Sequence, residues 1–264
     1  MVAMPSSMRG VAKAALVTGA AKRIGRALAL DLAARGWDVA VHYRNSADEA
    51  QAVVAAISAL GRRAVAVAAD LAEEQQTSDL VGAAAGALGP ITLLVNNAAI
   101  FEYDRPETAG QESWQRHMTI NLRAPLVLTQ GLLAQLPAAG EANVVNLIDQ
   151  RVLNLTPHYT SYTISKAGLW MLTQQLARAL APRVRVNAIA PGPVLPHAAM
   201  NAEEFEALRR ATPLGRGPNL EEICRALGLI LDAPAMTGQM ITLDGGRHLG
   251  WLLPGESNPR DQAC

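Results

Sequence analysis

Apolar positions along this chain fall into two kinds of run. Seven short stretches rich in β-branched residues are apolar almost without interruption, at 14–18, 39–42, 64–67, 91–95, 144–148, 184–189 and 240–243. A strand exposed on one face alternates, whereas a strand covered on both faces reads as continuous, so these runs predict strands buried between layers. Between them lie Ala- and Leu-rich stretches with helical spacing, at 24–35, 47–60, 73–88, 112–136, 162–180 and 221–231, and a shorter one at 203–210. Strand and helix in turn predict an α/β fold of Rossmann type, a doubly wound parallel sheet with helices on both faces. Such sheets bind ligands beyond the carboxyl ends of their strands, where the strand order reverses. Function is therefore expected in the strand-to-helix loops.

No repeat, linker or shift of composition divides the 264 residues, and a single domain over 1–264 is expected. The least regular stretch, about 191–219, carries Pro191, Pro193, Pro196, Pro213 and Pro218 and reads as a substrate lid. Composition then removes whole classes of function. With 50% hydrophobic and 17% charged residues, disorder is excluded. Lys+Arg and Asp+Glu both total 23, so no basic stripe invites nucleic acid or an anionic membrane. Two cysteines, Cys224 and Cys264, build neither a disulfide framework nor a zinc site. The histidines at 42, 117, 158, 197 and 248 lack ligand spacing, so no metal is expected. No run approaches the roughly 20 apolar residues of a membrane span or the pattern of a signal peptide, and the expected location is cytoplasmic.

The first strand leads into Gly19-Ala-Ala-Lys-Arg-Ile-Gly25 and then a helix. Gly19 permits a tight turn and Gly25 a close approach of helix to sheet, so the helix N-terminus can face a pyrophosphate. After the second strand, where a site for NAD usually places an acid, the chain reads His42-Tyr43-Arg44-Asn45-Ser46. Arg44 can pair with a 2′-phosphate and Ser46 opens a helix where an anion is favoured, so NADP(H) is the expected cofactor.

Tyr162 and Lys166 stand four apart on a helical stretch and share a face, and Asp149 closes a predicted strand. A free tyrosine, near pKa 10, is a poor acid at neutral pH. A cation about 4 Å away at an effective dielectric of about 20 is worth about 4 kcal/mol, about three pKa units at most, and would bring the phenol into range. Lys166 is one of only three lysines, with Lys13 and Lys22, against twenty arginines, so a generic cation here would be arginine.

Thr18-Gly19 with Gly25, Asp70 after the third strand, Asn96-Asn97-Ala98 after the fourth, Asn121, Tyr162-x-x-x-Lys166 and Pro191-Gly192 together resemble the short-chain dehydrogenase/reductase family over nearly the whole chain. The resemblance implies that Tyr162 donates the proton, that Lys166 holds the nicotinamide ribose and lowers the tyrosine pKa, and that Asn121 supports a water relay. It implies a cofactor site drawn from Gly19, Lys22, Arg23, Ile24 and Gly25, then His42, Arg44, Asn45 and Ser46, then Asp70 and Leu71. Asn97, Ala98 and Ala99, Tyr162 and Lys166, and Pro191, Gly192 and Val194 complete it. A homotetramer is implied by the same analogy.

One position departs from the family. Asp149 stands where most members carry a serine that donates to a substrate carbonyl, and an ionised carboxylate cannot donate. Pteridine reductases and dihydromonapterin reductases share that aspartate, and Arg23, His42-Tyr43-Arg44 and Phe101 match their pattern too. This closer resemblance implies NADPH-dependent reduction of a pterin-like small molecule, a dihydropteridine, dihydromonapterin or dihydrofolate, by hydride transfer to a ring C=N. Arg23, Phe101, Asp149, Tyr162 and Leu195 would meet the substrate, Phe101 by stacking. Tyr103, Met200 and Trp251 are further loop candidates for the pocket. Two rivals stand beside this reading: a carbonyl or 3-oxoacyl reductase that tolerates the aspartate, and a non-catalytic NADP(H)-sensing protein.

Overall fold

The computed structural model describes residues 13–197 and 200–250. Its strands are β1 (Ala14–Val17), β2 (Asp38–Tyr43), β3 (Ala64–Ala68), β4 (Leu93–Asn96), β5 (Ala142–Leu147), β6 (Val184–Pro191) and β7 (Met240–Leu243). All pair in parallel, in the order β3-β2-β1-β4-β5-β6-β7. The chain enters at β1, steps outward to β3, returns to the other side of β1 and steps outward again to β7. That reversal opens a crevice beyond the tips of β1 and β4.

The helices are α1 (Arg23–Ala34), α2 (Ala47–Ala59), α3 (Glu74–Leu88), α4 (Gln111–Met118), α5 (Ala124–Gln135), α6 (Thr160–Leu180), α7 (Ala202–Arg210) and α8 (Leu220–Asp232). Alternate strand residues enter opposite layers. Ala15, Val17, Val39 and Val41 join Leu28, Leu32, Val53, Ile57 and Leu227, from α1, α2 and α8, in one core. Ala14, Leu16, Ala40 and Leu94 join Leu80, Ala84, Leu128 and Leu132, from α3 and α5, in the other. With both faces covered, no strand position can be polar without a partner, which explains the unbroken apolar runs. No helix among the described residues is long and apolar enough to cross a membrane.

Several boundaries differ from the sequence pattern by one or more residues, and three of them have a physical reason in the contacts at the break. The expected helix at 112–136 is α4, a wider π turn at Thr119–Arg123, and α5. Pro125 has no N–H for the carbonyl of residue 121, four places back, and the ladder widens so that Ala124 N donates to Thr119 O. Strand β4 starts two residues late because the Gln135 amide takes both backbone groups of Ile91, at 2.9 Å each. Helix α6 starts two residues early: Tyr159, in the left-handed region at φ 61°, precedes it, and Asp104 accepts from Ser161 N at 3.1 Å. Within the irregular stretch, α7 begins in a capping box made by Asn201 and Glu204.

Candidate active site

The loops at the carboxyl edge of the sheet enclose one cleft of about 900 Å³ that runs from the β1 turn to the segment after β6. Its first half is assembled around Thr18. Asn97 N and Ala98 N both donate to Thr18 Oγ1, at 2.9 and 3.0 Å, and Asn97 Nδ2 donates to Thr18 O at 2.8 Å. Gly19 sits at φ 61°, as the turn requires. A Cβ on Gly25 would overlap Gly19 O and lie 2.6 Å from Asn97 Nδ2. The turn is thus packed to the limit on the protein side and open on the cleft side, a cradle that suits a pyrophosphate at the start of α1.

His42 lines this half and also clamps it. It is 2% exposed, Gly19 N donates to its Nδ1 at 3.0 Å, and Nε2 lies 3.1 Å from Ala69 O. A backbone N–H can only donate, so Nδ1 accepts and Nε2 carries the proton. Burial holds the imidazole below its ordinary pKa, which keeps that neutral tautomer.

The other nucleotide candidates divide. Lys22, Ile24, Arg44, Asp70, Leu71 and Ala99 line the cleft, and Arg44 is exposed there. Lys22 is paired with Glu49 at 2.7 Å. Arg23, at φ 54°, lines the cleft and its Nη2 donates to Leu195 O at 3.3 Å. Asn45 and Ser46 lie off the lining, and the first turn of α2 already holds Asp48 and Glu49, which answer its dipole. Pro191, Gly192 and Val194 line the far wall, where a Cβ on Gly192 would lie 2.8 Å from Asp244 Cα.

The second half brings Asp149, Tyr162 and Lys166 together although they come from β5's end and α6. Tyr162 Oη donates to Asp149 Oδ2 at 2.9 Å, and Asp149 Oδ1 accepts from Arg151 N at 2.8 Å. Both carboxylate oxygens are therefore engaged. Burial raises the Asp149 pKa, opposed by the nearby Arg151 charge. Burial and then the Asp149 charge push the Tyr162 phenol well above its usual value. Lys166 lines the cleft, its Nζ donates to Leu147 O at 2.7 Å, and it stands 5.9 Å from the Tyr162 ring centroid. The phenol is held protonated, a donor's state, rather than drawn toward ionisation. Lys166 itself is pulled down to about 8 by burial. For reduction, the alkaline fall of kcat is accordingly expected near pH 8, as the ammonium loses its proton. A pH–rate profile checks this; a plateau reaching pH 10 in the native enzyme would contradict it.

Asn121 lies behind the cleft. Its Oδ1 accepts from Ile100 N at 2.9 Å and its Nδ2 donates to Ile100 O and Ser165 Oγ, so it joins the loop after β4 to α6. Phe101 lines the cleft at 36% exposure, with its ring stacked on Tyr159 (centroids 4.3 Å, planes 10° apart) and edge-on to Tyr162 at 4.7 Å. Leu195, Tyr103 and Met200 line it too, and Trp251 lies outside the described residues. Sequence reasoning missed Tyr159 and Arg151: the guanidinium of Arg151 lies 4.8 Å from the Tyr159 centroid and 5.5 Å from that of Phe101. Its place two residues after Asp149 was the available signal. Among the described residues, no group of three or more His, Cys, Asp or Glu side chains could hold a metal.

Comparison with known proteins agrees with this layout. A family model described as short chain dehydrogenase matches residues 13–207. An uncharacterized oxidoreductase of Methylorubrum extorquens is 36% identical over 242 residues, covering 89% of this chain and 97% of that one. A 3-oxoacyl-[acyl-carrier-protein] reductase of Synechocystis is 34% identical, covering 89% and 96%. Among solved structures, FolM alternative dihydrofolate reductase 1 from Brucella canis, complexed with NADP, is 45% identical with a TM-score of 0.88, covering 92% of this chain and 97% of that one. Fold, cleft and relatives agree: this chain belongs to the short-chain dehydrogenase family of oxidoreductases.

Proposed function

We propose that this chain is an NADPH-dependent reductase of a pterin-like substrate. The observation that carries the reading is the bond from Tyr162 Oη to Asp149, a carboxyl where a ketone reductase needs a hydroxyl donor. The 45% identity to the NADP-complexed Brucella canis protein supports it. The cradle at Gly19 and Gly25 fits the cofactor's pyrophosphate, and Arg44, on the cleft lining just after β2, supplies a guanidinium with which a 2′-phosphate can pair. When bound, NADPH supplies the hydride.

The chain's own residues handle the proton and the orientation. Tyr162, protonated at neutral pH, donates from Oη to the substrate nitrogen. Asp149, whose pKa is raised by burial, can be protonated and return a proton to Oη along the same hydrogen bond. Lys166 holds Leu147 O and keeps a positive charge near the ring, which opposes loss of the pair's alignment. Asn121 fixes Ile100, the residue before Phe101, so the aromatic wall keeps its distance from the phenol.

The 3-oxoacyl reductase of Synechocystis favours a second reading, reduction of a 3-oxoacyl thioester. Following NADPH oxidation across dihydropterins, dihydrofolate, model ketones and an acyl thioester separates the two. Asp149→Ser is expected to lower kcat/KM for the pterin at least tenfold and to spare or raise that for a ketone. Turnover of thioesters with none of any pterin would overturn the proposal.

A further inference from the structure

Helix α6 carries both Tyr162 and Lys166, yet its own sequence does not cap it. The residue at its N-cap is Tyr159, at φ 61°, whose side chain makes no bond to the first turn. The first N–H groups of a helix have no partner within it, and the one on Ser161 is met from 57 residues earlier in the chain, by Asp104 Oδ1 at 3.1 Å. Asp104 is 3% exposed, and all three of its oxygens are engaged. Its Oδ2 accepts from Ser113 Oγ of α4 at 3.1 Å, and its backbone oxygen accepts from Tyr159 N at 2.7 Å.

The other end of the same loop is tied to the same turn of α6. Asn121 Oδ1 accepts from Ile100 N, and its Nδ2 donates to Ser165 Oγ at 3.0 Å. Ser161 and Ser165 are four apart, fully buried and on one face of the helix. Tyr162 stands between the two ties, and Phe101, between Ile100 and Asp104 on the loop, meets its ring edge-on at 4.7 Å.

We infer that Asp104 is a positioning residue for the proton donor: its carboxylate caps α6 from the loop after β4 and so fixes Tyr162 against the cleft. The inference rests on the reading of Tyr162 as that donor, whichever compound is reduced. Tyr162 is the third residue of α6, within the turn that frays when a cap is lost. A displacement of about 1 Å at a reacting group can cost about a hundredfold in rate. None of these bonds involves the cradle at Gly19 and Gly25, so the loss falls on kcat and not on KM for NADPH.

The test compares variants on whichever compound of the panel above the wild type reduces. Asp104→Ala is expected to lower kcat about thirtyfold, with KM for NADPH within about threefold of wild type. Asp104→Asn keeps an oxygen for Ser161 N and is expected to restore kcat to within about threefold. Ser113→Ala removes the link to α4 alone and is expected to do the same. Should Asp104→Ala not fold, Asp104→Ser, with a side chain one bond shorter than aspartate, carries the same expectation. An alanine or serine variant that keeps kcat within threefold would overturn the inference. So would an equal loss in Asp104→Asn or Ser113→Ala, or a rise in KM for NADPH that matches the fall in kcat. Hydrogen exchange needs no substrate and reads the cap directly: the amides at the start of α6 are expected to exchange at least about tenfold faster in Asp104→Ala and as in wild type in Asp104→Asn. Unchanged exchange in Asp104→Ala would overturn the cap whatever kcat does. Faster exchange in a protein whose wild type reduces nothing on the panel would keep the cap and reject the reductase reading.

Discussion

Tyr162→Phe is expected to lower kcat for NADPH-dependent reduction about a thousandfold while NADPH affinity stays within about threefold. The ring is 6% exposed, edge-on to Phe101 and His117, and phenylalanine keeps that packing. What disappears is Oη, the one hydroxyl bonded to Asp149. General acid catalysis is worth about 10²–10⁴ in rate, so a thousandfold corresponds to about 4 kcal/mol of barrier. Asp149 would also lose a hydrogen bond to its charged form, which raises its pKa further and removes the relay. Steady-state kinetics with fluorescence titration of NADPH decide the matter. A variant that keeps more than a tenth of kcat would show that the proton comes from elsewhere, and a protein that only senses NADP(H) would show no turnover to lose.

Gly25→Ala is expected to weaken NADPH binding at least a hundredfold and to lower the thermal midpoint. The added Cβ would overlap Gly19 O and sit 2.6 Å from Asn97 Nδ2 and 2.9 Å from Gly19 C, all parts of the clasp around Thr18. None is the loose end of a flexible side chain, so the turn itself must move. Overpacking of this kind costs about 1–3 kcal/mol, and a hundredfold in affinity is about 2.7 kcal/mol. Gly82→Ala, with nothing near its Cβ in α3, is the control and should be neutral or mildly stabilising. Unchanged NADPH affinity in Gly25→Ala would mean that the cradle is not where the cofactor's phosphates lie.

Much of the sheet was legible because burial on both faces leaves an unbroken apolar signature, and the run at 240–243 matches β7 to the residue. The break between α4 and α5 was hidden, since one proline and an asparagine bonded to a distant loop decide it. In the cleft, the pairing of Tyr162 with Asp149 follows from a helix start placed against a strand end. The position of Lys166 does not follow from its spacing, because a long side chain goes to the best acceptor it can reach, here Leu147 O. Tyr159 and the contact that Arg151 makes with it were hidden for a related reason: a short 3₁₀ turn and a left-handed residue carry no periodicity, and only the folded loops bring the two side chains together.

The order of strands also has a consequence for how such a protein can change over generations. The glycine turn of the cradle and Arg44 hang on the first half of the chain, after β1 and β2, while Asp149 and Arg151 follow β5, up to three strand spacings, about 14 Å, away across the sheet. Substitutions that far apart act almost independently on free energy. Drift toward another reducing coenzyme and drift toward another molecule to be reduced can therefore proceed on separate schedules, neither undoing the other.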